Sequence, residues 1–401
     1  MANTLITPTA VTREALRILH QKLTFVGSIV REYDDRFAKS GAKIGDSLQI
    51  RLPNQYVVRT GATLSTQDTT ESTTTLQVAT QKGVDLNFTS VDLTMSLDDF
   101  SKRIIEPAMA VLAATIEADA FSMYKDVYNQ ANNVGSAATF AKLMAARKLL
   151  TDNLAPYGQR CLCLNTQDNV DLVDALKGLF QDSTQIAKQY REGLVGRTAG
   201  FGEIYETTLV PSHTVGVKTG TPLVNGAYQT GASLITDGWT NSTTGILLQG
   251  DVFTIAGVNR VHPETKADTG VLQQFVVTAD ADSGATTGPA TLAISPSIVT
   301  TGAKQNVTGS PADNAAITVV GTSGAAHGIS LAHHKEAFAF ATADLVMPKG
   351  VDFASREVYD GISMRIVRAY DINNDKFPCR LDVLYGFKTL RGALAARIAN
   401  N

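Results

Sequence analysis

The chain has 401 residues, a formal net charge of -3, and 18% charged against 44% hydrophobic residues. That length suffices for two or three cores at ~150 residues each, and a chain without a basic excess is not a dedicated nucleic-acid binder, which needs a positive face to displace counterions from phosphates. Cys161, Cys163 and Cys379 cannot build a disulfide framework, and Glu117 and Asp119 interrupt the most apolar run, so a reducing compartment with neither signal peptide nor membrane span is expected.

Charged residues are scarce while Thr, Ser, Ala and Gly abound, so much of the surface is neutral and polar, a kind of surface that assemblies bury. From Thr12 onward, Leu16, Ile18 and Leu19 mark the apolar side of a short amphipathic helix with Arg13, Arg17 and Lys22 on the polar side. That polar side reads either as a solvated face or as an arm reaching a neighbour. From Asp46 the period changes to two, with Leu48, Ile50 and Leu52 alternating against polar residues; a second strand is expected at 56–59. A polar stretch follows at 61–75, after which Leu76, Val78, Val84, Leu86 and Phe88 resume the strand pattern. This predicts an extended hairpin whose tip docks elsewhere.

Ile105, Met109, Leu112, Ile116, Ala120, Met123 and Val127 recur at steps of three and four, predicting a spine helix over residues 96–130. Roughly 25 to 30 residues at ~1.5 Å each would make it about 40 Å long. Pro107 predicts a kink or a fresh helix start. Further helices are expected at 139–150 and 166–180, the second capped by Asn165 or Asp168, with a short buried strand at 158–164 between them. Between 227 and 322 the pattern becomes all-β, with strands expected at 233–235, 245–248, 252–258, 272–278, 290–294 and 315–320, as in a small sandwich or barrel. Helical or mixed character returns at 337–341. Two long strands, 363–370 and 380–390, close the chain ahead of a short tail segment.

No phosphate loop, dinucleotide fingerprint or nucleophile elbow is present. Cys161-Leu162-Cys163 and His333-His334 lack a second pair at zinc-site spacing, so the cysteines read as core and the histidines as surface or cap residues. No catalytic, cofactor-binding or metal residue is assigned, and an enzyme is not expected.

Several runs carry a family resemblance: Tyr33-Asp34-Asp35-Arg36-Phe37-Ala38-Lys39, Gly41-Ala42-Lys43-Ile44-Gly45-Asp46, Ile50-Arg51-Leu52-Pro53, Arg59-Thr60-Gly61-Ala62, Gly250-Asp251-Val252-Phe253-Thr254-Ile255-Ala256-Gly257-Val258, and residues 371–390. Through them the chain resembles the major capsid proteins of tailed bacteriophages with the Hong Kong 97-type fold, within them the coat proteins of Salmonella-type short-tailed phages. The resemblance implies an α+β fold: an N-terminal arm (1–44), an extended loop (45–95), a spine helix of a peripheral domain (96–134), an axial domain (135–226), an inserted all-β domain (227–322), and a return with closing strands (323–401).

It further implies self-assembly into pentamers and hexamers of an icosahedral shell around double-stranded DNA, in the virion and, during assembly, in the host cytoplasm. The partners it implies are copies of the chain, a scaffolding protein, a portal protein and nonspecifically held DNA, with no membrane. Arg13, Arg17 and Lys22 become candidates for facing scaffold or DNA, and Arg59, Asp68 and Glu71 for contacts between subunits. No motif identifies a lysine–asparagine cross-link, so noncovalent stabilisation is expected; ladders on a boiled denaturing gel of particles would overturn that. The alternative is a phage surface protein that binds a receptor through its central β domain.

Overall fold

A computed structural model describes residues 8–34, 46–64, 66–68, 71–88, 104–176, 199–351, 353–372 and 376–400. The fold is mixed α+β, with mostly strands and few helices. The chain forms two compact units, one of Met1–Leu52, Thr73–Phe121 and Phe338–Leu390, the other of Pro53–Ser72, Ser122–Ala337 and Arg391–Asn401.

In the first unit a six-stranded sheet runs in the order Val30–Asp34, Phe338–Ala343, Phe377–Thr389, Ile362–Arg368, Phe353–Tyr359, with Thr80–Phe88 paired along Phe377–Thr389. Phe338–Ala343 lies between Val30–Asp34 and Phe377–Thr389 and is buried at every position, which corrects the helical or mixed reading of 337–341 for all but Ala337, the end of a 3-10 turn. Its Phe-Ala alternation has period two, but a strand buried on both faces lacks the polar residues that usually reveal a sheet. The hairpin also differs from expectation. Asp46–Leu52 pairs with Ser72–Val78, but Val84, Leu86 and Phe88 belong to the six-stranded sheet, and residues 56–59 form no strand.

The helix Pro8–Lys22 buries Ala15, Leu16, Ile18 and Leu19 and packs on the spine helix and on the strand Phe353–Tyr359. The spine is shorter than expected: an α-helix at Glu106–Phe121, then a 3-10 turn at Ser122–Asp126; residues 96–103 lie outside the described ones. Pro107 stands in the first turn, where its missing amide proton costs nothing. Steps of three suit a 3-10 turn as well as an α-helix, so Met123, Tyr124 and Val127 are still buried, with the Val127 amide donating to the Tyr124 carbonyl at 3.1 Å.

In the second unit a sheet runs Gln130–Asn132, Ala395–Asn400, Ala326–His334, Arg160–Leu164, Glu203–Glu206, with Ser212–Thr214 also pairing with Ala326–His334. The tail is therefore a central strand, buried throughout, rather than a trailing segment. His333 and His334 are 0% and 3% exposed, which corrects their surface reading, although His334 Nδ1 does accept the Glu336 amide at 3.3 Å as a cap. Cys161 and Cys163 are buried core residues on Arg160–Leu164.

Thr139 caps the helix Phe140–Asp152, and Asn165 caps Thr166–Leu176 by accepting the Gln167 amide at 3.1 Å. Residues 177–180 of the expected second helix lie outside the described ones. Asp168 instead takes Ser330 Oγ at 2.5 Å and Asn400 Nδ2 at 2.9 Å, tying that helix to the two central strands.

The same unit holds the β-rich region as a six-stranded sheet in the order Ile317–Val319, Val252–Val261, Asp268–Val277, Ala290–Ile298, Gly231–Trp239, Gly220–Val224. Its edges meet: Leu223 bridges to Ala316, and Val224 exchanges backbone bonds with Ala315 and Asn314, each 2.9 Å, so the sheet closes into a barrel. Phe253, Phe275, Leu234, Leu292, Ile255 and Trp239 fill it. Residues 245–248 are not a strand; Leu247 makes only an isolated bridge to Ala281. Gly220–Val224, just ahead of the expected start, is the barrel strand that periodicity missed.

Candidate functional site

Three places hold the candidate residues or the side chains that fasten their elements. The first is the loop between the paired strands Asp46–Leu52 and Ser72–Val78. It carries Arg59, Asp68 and Glu71, all exposed, and with them large apolar side chains in water: Val58 is 89% and Leu64 79% exposed. The loop has its own internal order. Gln67 accepts the Val57 amide at 2.9 Å and donates to the Val57 carbonyl at 2.5 Å, and the Arg59 guanidinium donates to the carbonyls of Gly61 and Thr63. A pre-ordered loop with exposed apolar groups loses little entropy on docking.

The second place is the N-terminal helix. Arg13 lies 3.5 Å from Glu357, Arg17 2.6 Å from Glu14, and Lys22 3.7 Å from Glu106. Each candidate cation thus already faces a carboxylate of its own chain, though exposed pairs of this kind hold weakly and exchange readily.

Beneath this helix Glu117, 1% exposed, accepts the amides of Phe25 at 3.1 Å and Val26 at 3.0 Å and the Thr24 hydroxyl at 3.3 Å. It caps the short helix Phe25–Ser28 from the spine. Burial raises its pKa, and those hydrogen bonds work against the rise. In the sequence Glu117 stands out only as a break in an apolar run.

The third is the turn Asp360-Gly361, with φ of 49° and 77°, which joins Phe353–Tyr359 to Ile362–Arg368. Asp360 Oδ2 sits 2.7 Å from both His20 Nε2 and Arg31 Nη1, fastening the turn to the N-terminal segment. The Asp-Gly pair is a hairpin signal that the sequence does carry, and it would have located the strand Phe353–Tyr359. Among the described residues no group of His, Cys, Asp and Glu could hold a metal ion, and no helix is long and apolar enough to cross a membrane.

The sequence matches the family described as P22 coat protein, gene protein 5, over residues 21–395, and the chain belongs to that family. It is a major capsid protein, a structural component of the virion that forms an icosahedral shell and not an enzyme.

Among solved structures it is similar to that of Mycobacterium phage Che8, at 13% identity and a TM-score of 0.46 over 94% of this chain and 90% of that one. It is also similar to the mature capsid of bacteriophage PhiM1, at 10% identity and a TM-score of 0.43 over 94% and 87%. The I-domain of the CUS-3 coat protein matches 26% of this chain and 98% of its own length at 29% identity and a TM-score of 0.19. No curated protein sequence matches.

Proposed function

We propose that the loop within residues 45–95 lies over an adjacent subunit and links pentamers and hexamers of the shell, with Arg59, Asp68 and Glu71 at that contact. The observation that carries this reading is the exposure of Val58 and Leu64 on a loop already ordered by Gln67 and Arg59. Burying such side chains against a copy is favourable, and copy number multiplies each weak contact.

In this reading the first unit is the peripheral domain, the sheet around Ala326–His334 the axial domain, and the barrel from Gly220 to Val319 an inserted domain. Arg13, Arg17 and Lys22 exchange their internal carboxylates for an acidic scaffolding protein during assembly in the host cytoplasm; a portal protein and packaged double-stranded DNA, held nonspecifically, complete the set of partners.

Leu64→Asp and Val58→Asp test the loop by sedimentation. Assembly should fall at least tenfold while circular dichroism of the unassembled subunit stays unchanged; shells at the normal yield would remove the loop from the contact. Charge reversal of Arg13, Arg17 and Lys22 should reduce scaffold uptake, and undiminished uptake would remove the scaffold assignment.

A further inference from the structure

Within the second unit the barrel is joined to the α/β sheet across a buried polar seam. The pairing of Ala326–His334 with Ser212–Thr214 sets His327 opposite His213, with ring centroids 5.4 Å apart at 72°. His213 Nε2 lies 2.9 Å from Asp251 Oδ1 and its Nδ1 3.1 Å from the Tyr124 hydroxyl. Because a carboxylate only accepts, Nε2 carries a proton, and in the neutral ring Nδ1 then accepts from Tyr124. Asp251 Oδ2 takes the amides of Gly216 at 3.0 Å and Leu248 at 2.7 Å, so both of its oxygens are engaged just where the chain enters the barrel strand Val252–Val261.

Arg397, fully buried, reaches the same place from the central strand Ala395–Asn400. Its Nη2 donates to the Gly250 carbonyl at 2.8 Å, and its guanidinium carbon lies 5.8 Å from the Tyr124 ring centroid. His327 is 5% exposed, and neither ring nitrogen has a hydrogen-bond partner among the described residues. A neutral imidazole tolerates such a place. An imidazolium would bring a second N–H donor and a charge into it, beside a buried arginine and with the one nearby carboxylate fully used.

We propose that this seam is an acid-opened joint: protonation of His327 releases Gly250-Asp251 from the α/β sheet while the barrel keeps its own core. The titratable and charged groups facing the joint are His213 from Ser212–Thr214, Asp251 from the barrel lead-in, Arg397 from the central strand, and Tyr124 and Lys125 from the 3-10 turn. Lys218, whose amine is bound to the Val319 carbonyl at 2.6 Å, lies on the barrel side.

Burial holds His327 down to about 4, with His213 and Arg397 adding to the depression and Asp251 opposing it. In an opened, hydrated joint the imidazole titrates near its ordinary 6.5. The closed form therefore keeps its full advantage above that value and loses it about tenfold per pH unit as the pH falls towards 4.

Hydrogen exchange of the full-length subunit between pH 7 and pH 4, corrected for intrinsic rates, tests this at the amides of Gly216 and Leu248, both held by Asp251 Oδ2. Their protection should fall about tenfold per pH unit while Trp239 emission, reporting the barrel core, stays constant. In His327→Leu the dependence should flatten; if that variant fails to fold, His327→Gln carries the same expectation. His333, held down to about 3 by burial and by His334, remains in both variants and serves as the internal control. An unchanged pH slope in the variants, or loss of Trp239 emission together with seam protection, would overturn the proposal.

Discussion

The side chain of Gln274 pairs with the backbone of Gln130 as another strand would. Its Oε1 accepts the Gln130 amide at 2.8 Å and its Nε2 donates to the Gln130 carbonyl at 2.9 Å. Gln130–Asn132 is an edge of its sheet, and an unpaired edge invites strand addition by another chain. Away from sheet edges, Gln67 holds Val57 in the same way within the loop, and Gln229 binds both the amide and the carbonyl of Ile235, on an interior barrel strand, at 2.7 and 3.0 Å. A protein that lives at the concentration of a shell gains from closing edges with amides that cannot propagate.

Gln274→Ala should therefore lower the stability of the unassembled subunit by about 1 to 2 kcal/mol, measured by urea unfolding, because both backbone groups of Gln130 lose their partners. Gln274→Glu keeps the acceptor and loses the donor, so its cost should be at least as large, with carboxylate facing carbonyl. Light scattering should show more aggregation for the alanine variant; equal stability and equal scattering would mean that the pair merely fills space.

Glu117→Ala should cost about 1 to 3 kcal/mol, since two buried amides, Phe25 and Val26, would be left unsatisfied. The pH dependence has a definite sign. Burial raises the folded-state pKa of Glu117 above 4.5, so the folded protein binds the proton more tightly than the unfolded one. This group's contribution is then largest below 4.5 and declines as the pH rises through the folded value. Glu117→Gln removes that titration. The stability of wild type minus that of Glu117→Gln should fall as the pH rises from 4 to 7 in denaturant melts, whatever its value at pH 4; a rise would refute the assignment.

Thr236→Val probes the barrel alone. The Thr236 hydroxyl accepts from Trp239 Nε1 at 2.9 Å and donates to the Ala290 carbonyl at 2.9 Å, all within the core. Valine keeps the shape and orphans the indole N–H, so about 1 to 3 kcal/mol should be lost. The sequence contains one tryptophan, so its emission reports this site without ambiguity. An unmoved melting curve followed by that emission would show that the indole finds another acceptor.

Local pattern was enough for the elements that have one wet face or a distinctive turn. Leu16, Ile18 and Leu19 revealed the first helix, Leu143 and Leu150 the helix behind Thr139, and the spaced apolar runs from Gly231 to Val319 most of the barrel. The exposed loop was legible as polar, though Val58 and Leu64 passed unnoticed in it. In each case the signal lies within a few residues, because the period of a helix or a strand is a local property.

The family resemblance carried by short motifs, read from the sequence by itself, was sufficient to indicate a shell subunit. Which strands become neighbours was left to tertiary structure. Val30–Asp34 and Phe338–Ala343 come from opposite ends of the chain, and the tail strand Ala395–Asn400 is central only because Ala326–His334 and Gln130–Asn132 flank it. Arg397, Asp251 and Glu117 look like surface residues one at a time. Only packing decides that they are buried, because a charge can leave water only where other parts of the fold bring it hydrogen-bond partners or an opposite charge, and those partners lie far away in sequence.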